Sequence, residues 1–213
     1  MHKVLFNAAL VVAALGLTAC SSEPAKAPEA KTDTDAAKKA PTGPPEPVLG
    51  KTAFYEMYTP AHAWAADMVP ISLKSGEVAG VKNAGGKAGM WTAVFGSPSQ
   101  HMLRAYTWAA AEQLPNIAKG VKAESPEAWA GPTTAAMTFQ TSDVVIDSDA
   151  AYKAAADKAG DWLKDPDHAA KPVTMSLGAA SRFPAPVWYV IFGDTKFGFA
   201  AFVNATTGNI ITK

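Results

Sequence analysis

The 213-residue chain is short of cysteine, of arginine and of any excess charge. Its single thiol, Cys20, excludes an internal disulfide and a multi-cysteine metal site, so the folded part must be held by its core. Acidic and basic side chains balance at 19 each, and the only guanidinium groups are Arg104 and Arg182. No basic stripe is left for nucleic acid. No apolar run reaches the roughly 20 residues of a membrane-spanning helix; the longest, 4–17, is interrupted by Asn7 and Gly16. Missing too are a G-x-S-x-G elbow, an H-E-x-x-H pair and a Walker loop. Gly85-Gly86-Lys87-Ala88-Gly89 precedes a strand rather than a helix, unlike a phosphate loop. His62, His101 and His168 are scattered, and Asp147-x-Asp149 and Asp165-x-Asp167 lack the further oxygen ligands of a calcium loop. The reading is therefore a non-enzyme with no metal and no cofactor.

What is present begins with a leader. Residues 1–19 combine a thin positive start with a short apolar stretch, and Leu17-Thr18-Ala19 then delivers Cys20. This looks like the lipobox of bacterial lipoproteins, which implies acylation of Cys20 and a lipid anchor in the cell envelope. Ser21 and Ser22, with no aspartate directly after the cysteine, resemble the pattern sorted to the outer membrane, facing the periplasm. From Cys20 to residue 50 the chain is rich in proline, alanine and mixed charge, and until Val48 it has no aromatic or branched aliphatic side chain. Such a segment buries too little apolar surface to offset its ordering entropy, and reads as a disordered tether.

The folded part reads as two similar units. The C-terminal stretch alternates Trp188, Val190 and Phe192 against Tyr189 and Ile191, breaks at Gly193-Asp194, resumes over 197–203, and turns at 204–209 before Ile210. Residues 90–109 repeat the design: Trp91-x-x-x-Phe95-Gly96 answers Trp188-x-x-x-Phe192-Gly193. A helix is predicted before each strand group. In the first unit (51–113) Thr59 reads as N-cap and Pro60 as first helical position, with Ala61, Trp64, Ala65 and Met68 on one face. In the second (147–213) Asp149 caps a helix of about four turns whose apolar face carries Tyr152, Ala155, Ala159 and Trp162 and which stops at Asp165-Pro166. Trp64 precedes Trp91 by 27 residues and Trp162 precedes Trp188 by 26, but the expected helix starts do not keep register. Residues 114–146 form a connecting segment. The expected class is α+β, helices packed on an antiparallel sheet.

Residues 149–211 resemble the PepSY-like repeat of bacterial envelope proteins. The resemblance is carried by the alanine-rich helix after an acidic cap, the strand Val187-Trp188-Tyr189-Val190, and the closing Asn204-Ala205-Thr206-Thr207-Gly208 turn. The first unit matches in outline, with Trp108 where Asn204 falls. The resemblance implies a non-catalytic module that binds a protein or peptide partner in the envelope, including restraint of a peptidase. Trp108 and Trp129 are its candidate binding surface. The alternative is a carrier of a hydrophobic ligand held between helix and sheet. A cavity lined by Trp and Met favours the carrier; a flat aromatic patch at Trp108 or Trp129 favours the partner.

Overall fold

Strict alternation sets the sheet. In β2 (Met90–Ser97) Trp91, Ala93 and Phe95 are buried while Met90, Thr92 and Val94 are half-exposed; in β7 (Val187–Phe192) Trp188, Val190 and Phe192 are buried. The period of two puts each set on one face. The computed structural model describes residues 43–212; the leader, Cys20 and the tether up to residue 42 lie outside the described residues. Eight strands form one antiparallel sheet: β1 (Val69–Gly76), β2, β3 (Met102–Ala109), β4 (Gly120–Ala123), β5 (Glu127–Ala128), β6 (Val173–Gly178), β7 and β8 (Phe199–Asn204). Their order is β4-β3-β2-β1-β6-β7-β8, with β5 also on β3. Two helices, α1 (Gly50–Trp64) and α2 (Ser148–Ala159), cover one face, and the four-residue α3 (Pro166–Ala169) follows α2. The chain is thus α+β, with α-β-β-β occurring twice. Among the described residues, no helix is long and apolar enough to cross a membrane.

Several boundaries differ from the sequence reading. The first helix begins at Gly50, not Thr59, and Pro60 lies inside it. Ala53, Phe54, Met57 and Ala61 form its buried stripe, and that packing outweighs the local proline signal. Ordered structure also reaches back past residue 50, since Val48 pairs with Ala88. Asp147, rather than Asp149, is the N-cap of α2, which ends at Gly160 with φ 45° instead of running to Asp165. The connecting segment adds β4 and β5 to the sheet edge. At the C-terminus Ile210 makes a single bridge to Val203.

With the observed starts the two units come within one residue of register, Trp91 standing 41 residues after Gly50 and Trp188 40 after Ser148. The Trp91 indole donates to the Val48 carbonyl (3.0 Å) across 43 residues, and Trp188 donates to Ile146 (3.3 Å) across 42. Each acceptor stands two residues before its helix. Trp91 and Trp188 meet edge-to-face, centroids 6.3 Å apart, and both rings close on Gly50, where a Cβ would fall 2.8 Å from Trp188 and 3.3 Å from Trp91. Leu49 offers α1 no side-chain cap. Instead Gly50 N–H donates to the Ser148 hydroxyl (2.8 Å) and Lys51 N–H to the Asp147 carboxylate (2.9 Å), so the start of α2 caps α1.

Candidate functional site

The two units join where β1 pairs with β6. Ser72–Gly178, Leu73–Leu177 and Lys74–Ser176 form that ladder. Register across each unit fixes the equivalences: Ser75 pairs with Trp91 as Leu177 does with Trp188, and Leu73 with Ala93 as Met175 with Val190. Lys74–Ser176 therefore sits on a pseudo-two-fold axis, and Ser75 and Met175 occupy the place related to Leu177 and Leu73. There the ladder stops. The Ser75 hydroxyl, rather than a carbonyl, accepts the Met175 N–H at 2.8 Å. One half of the seam is zipped; the other opens into a cleft.

That cleft has a volume of about 750 Å³, within the range of small-molecule sites. The sheet contributes Ser75, Trp91, Val173 and Met175, and α2 contributes Tyr152. The β1–β2 connection adds Val78 and Val81, both buried. This connection is shaped by Asn83, whose amide donates to Gly76 C=O and whose oxygen accepts Gly89 N–H. It turns tightly at Gly85-Gly86, both with positive φ. Gly86 lies so close to the start of α2 that a Cβ would meet the Ser148 and Asp149 backbone. Charge at the cleft comes from Lys82, Lys87 and Lys171 against Glu77. Lys171 lays its stem on Gly193. The nearby Asp194 carboxyl is held below its ordinary value chiefly by the Phe197 and Lys196 amides, with Lys171 adding a smaller pull.

The axis relates this cleft to a second position, lined by Phe54 where the first has Tyr152, by Leu177 for Ser75 and by Leu73 for Met175. Phe54 and Tyr152 keep the 98-residue offset that relates Gly50 to Ser148. Here the space is filled. Phe139 and Val144, in the segment leading into α2, are buried against it and leave about 10 Å³. Lys51 holds that segment through its Nζ on the Val144 (3.1 Å) and Val145 (3.2 Å) carbonyls. The segment leading into α1 reads Gly43-Pro44-Pro45-Glu46-Pro47, carries no comparable side chain, and is largely exposed.

The two tryptophans expected on a binding surface lie elsewhere and apart. Trp108 is 7 % exposed and donates its indole N–H to Glu56 at 2.7 Å beneath α1, so it presents no aromatic patch. By register it is equivalent to Val203, not Asn204. Trp129 is half-buried with its ring across Gly96, on the face away from the helices, as a plug for the connecting segment. Cys20 lies outside the described residues. The histidines are separate: His62 stacks on Tyr58, His101 sits in the β2–β3 turn, and His168 stacks on Trp162. Among the described residues no three potential metal ligands converge. The cleft residues had one sequence signal, the polar Ser75 at an inward position of Ile71-x-Leu73-x-Ser75, but Ser75-Gly76 also reads as a turn.

No protein-family profile and no curated protein sequence matches the chain. Among solved structures, a crystal structure from Clostridium difficile 630, of a protein named a "putative lipoprotein", is similar with a TM-score of 0.45 and 10 % identity, over 75 % of this chain and 90 % of that one.

Proposed function

We propose that the chain is a lipid-anchored binding module of the cell envelope that holds a small ligand in the seam cleft and catalyses no reaction. The observation that carries the reading is the half-open seam: a cleft with Trp91 and Met175 buried in its floor on one side of the axis, with its counterpart filled by the chain's own Phe139. A cavity of that lining was the feature expected to separate a carrier from a partner-binding surface, and the burial of Trp108 removes support from the latter. The anchor reading rests on the leader and Cys20, and placement at the outer membrane facing the periplasm rests on Ser21 and Ser22. The doubled α-β-β-β order supports the PepSY-like resemblance at the level of element order alone, and fold does not assign activity.

The test is native mass spectrometry of the full chain released from its own membranes. A co-purifying small molecule, lost from a Ser75→Leu variant that still folds, is the expected result. A photocrosslinker at Tyr152 that captures only protein would return the reading to a protein or peptide partner. Separately, Cys20→Ser should abolish labelling by a fatty-acid probe; persistent labelling would remove the anchor.

A further inference from the structure

The filled position is a record of what the open one takes. Resting on the cleft reading above, we infer that the seam cleft binds a small amphipathic anion: an apolar, ring-sized or larger body carrying a carboxylate or sulfonate head. The body follows from the pseudo-symmetry. Across the axis an aromatic side chain, Phe139, occupies the space bounded by Leu177, Leu73 and Phe54. The equivalent boundary of Ser75, Met175 and Tyr152, with Trp91, Val78 and Val81 buried behind it, encloses a larger space that is apolar at this floor and polar at its rim, where Glu77, Lys82, Lys87 and Gln113 stand. Among the described residues, the chain's own lead-in at 43–47 is largely exposed and has no aromatic or branched aliphatic side chain to fill it with.

The head follows from charge and from one hydroxyl. Lys82, Lys87 and Lys171 line the cleft against the single carboxylate of Glu77. Among the described residues none of the three lysines is in an ion pair. A concave site with net positive lining concentrates anions. Ser75 is 7 % exposed at the cleft. Its oxygen accepts the Met175 N–H, and no hydrogen bond donated by its own proton is found among the described residues, so that proton is available to an acceptor in the cleft. Leu177, its equivalent in the closed half, has no such group.

The experiment uses the full chain in non-ionic detergent with two probes that share one ring system, anionic 8-anilino-1-naphthalenesulfonate and uncharged N-phenyl-1-naphthylamine. Emission sensitised by tryptophan excitation reports probe held close to the folded domain rather than probe in empty micelles, and its loss in Ser75→Leu places it at the cleft. The expected result is one saturable site per chain, about tenfold tighter for the sulfonate. A triple variant, Lys82→Gln with Lys87→Gln and Lys171→Gln, should remove that preference and leave the uncharged probe within about twofold. Ser75→Leu, which supplies the side chain of the closed half, should weaken both probes. Ala170→Phe at the exposed rim does the same if Ser75→Leu does not fold. Equal affinity for the two probes, unchanged in the triple variant, overturns the anion inference while leaving the cleft reading standing. Failure of both probes to bind, or binding indifferent to Ser75→Leu and Ala170→Phe, overturns both.

Discussion

Gly50 is the position where one atom decides the most. In an exposed helix interior, Gly→Ala is favourable by about 0.8–1 kcal/mol. Here the added methyl enters the space where Trp188 and Trp91 meet, so Gly50→Ala should destabilise by about 1–3 kcal/mol, as overpacking does. Chemical denaturation reads the sign directly, and a stabilised variant would refute the packing. Trp108→Ala should cost about 3–5 kcal/mol in the same assay, the behaviour of a core residue rather than a contact residue. Asp67 gives the pH dependence. Its carboxylate accepts the Ser99 N–H and the Ser97 hydroxyl, which hold its pKa below the ordinary 3.8. A lowered carboxyl pKa contributes stability that is full above the ordinary value and is lost as pH falls through the lowered one. Asp67→Asn should flatten the acid limb of the stability profile; an unchanged limb counts against the contact. At this scale the sequence was legible where chemistry is local. Trp91 and Trp188 are readable as repeated core residues from alternation alone, whereas the burial of Trp108 depends on Glu56 of α1, 52 residues away.

At the scale of elements, strands were easier to read than helix ends. The β2–β3 and β7–β8 pairs follow from alternation and turn residues, and each lies close to its expected place. The start of α1 was hidden because its cap comes from Asp147 and Ser148, which no local window contains. Thr59-Pro60 supplied a stronger local signal at the wrong position. Two outcomes follow from the observed ends. Asp147→Ala removes the acceptor shared by Lys51 N–H and Ser148 N–H and should cost about 0.5–2 kcal/mol, measured by denaturant midpoint. A chain beginning at Lys51 lacks the Val48–Ala88 bridge and the Trp91 acceptor. It should unfold at lower denaturant than one beginning at Gly43; equal midpoints would show that residues 43–50 add nothing. β4 and β5 were missed because strands of four and two residues with exposed side chains carry no alternation.

For the whole molecule, the repeated helix-then-strands order was legible but its consequence was not. Each unit alone reads as a helix over a small sheet, yet the seam makes one sheet of both. The cleft belongs to neither unit. It exists because two related halves meet with unlike residues, Ser75 against Leu177 and an exposed Pro-rich lead-in against Phe139. A sequence reading that compares the repeats for likeness passes over such differences, although they define the site. Residues 43–113 and 147–213 made as separate chains should each fail to unfold cooperatively, and mixing them should restore some of the signal. Independent folding of either half would contradict the shared core.

The cap that α2 lends to α1 also sets an order of events in time. The donors of Gly50 and Lys51 wait for acceptors 98 and 96 residues further along the chain. During synthesis the start of the first helix lacks its cap until about seven-tenths of the polypeptide has arrived. Contacts of such separation slow folding. A chain emerging from its N-terminus therefore completes the cap of its first helix only once the start of its second is present.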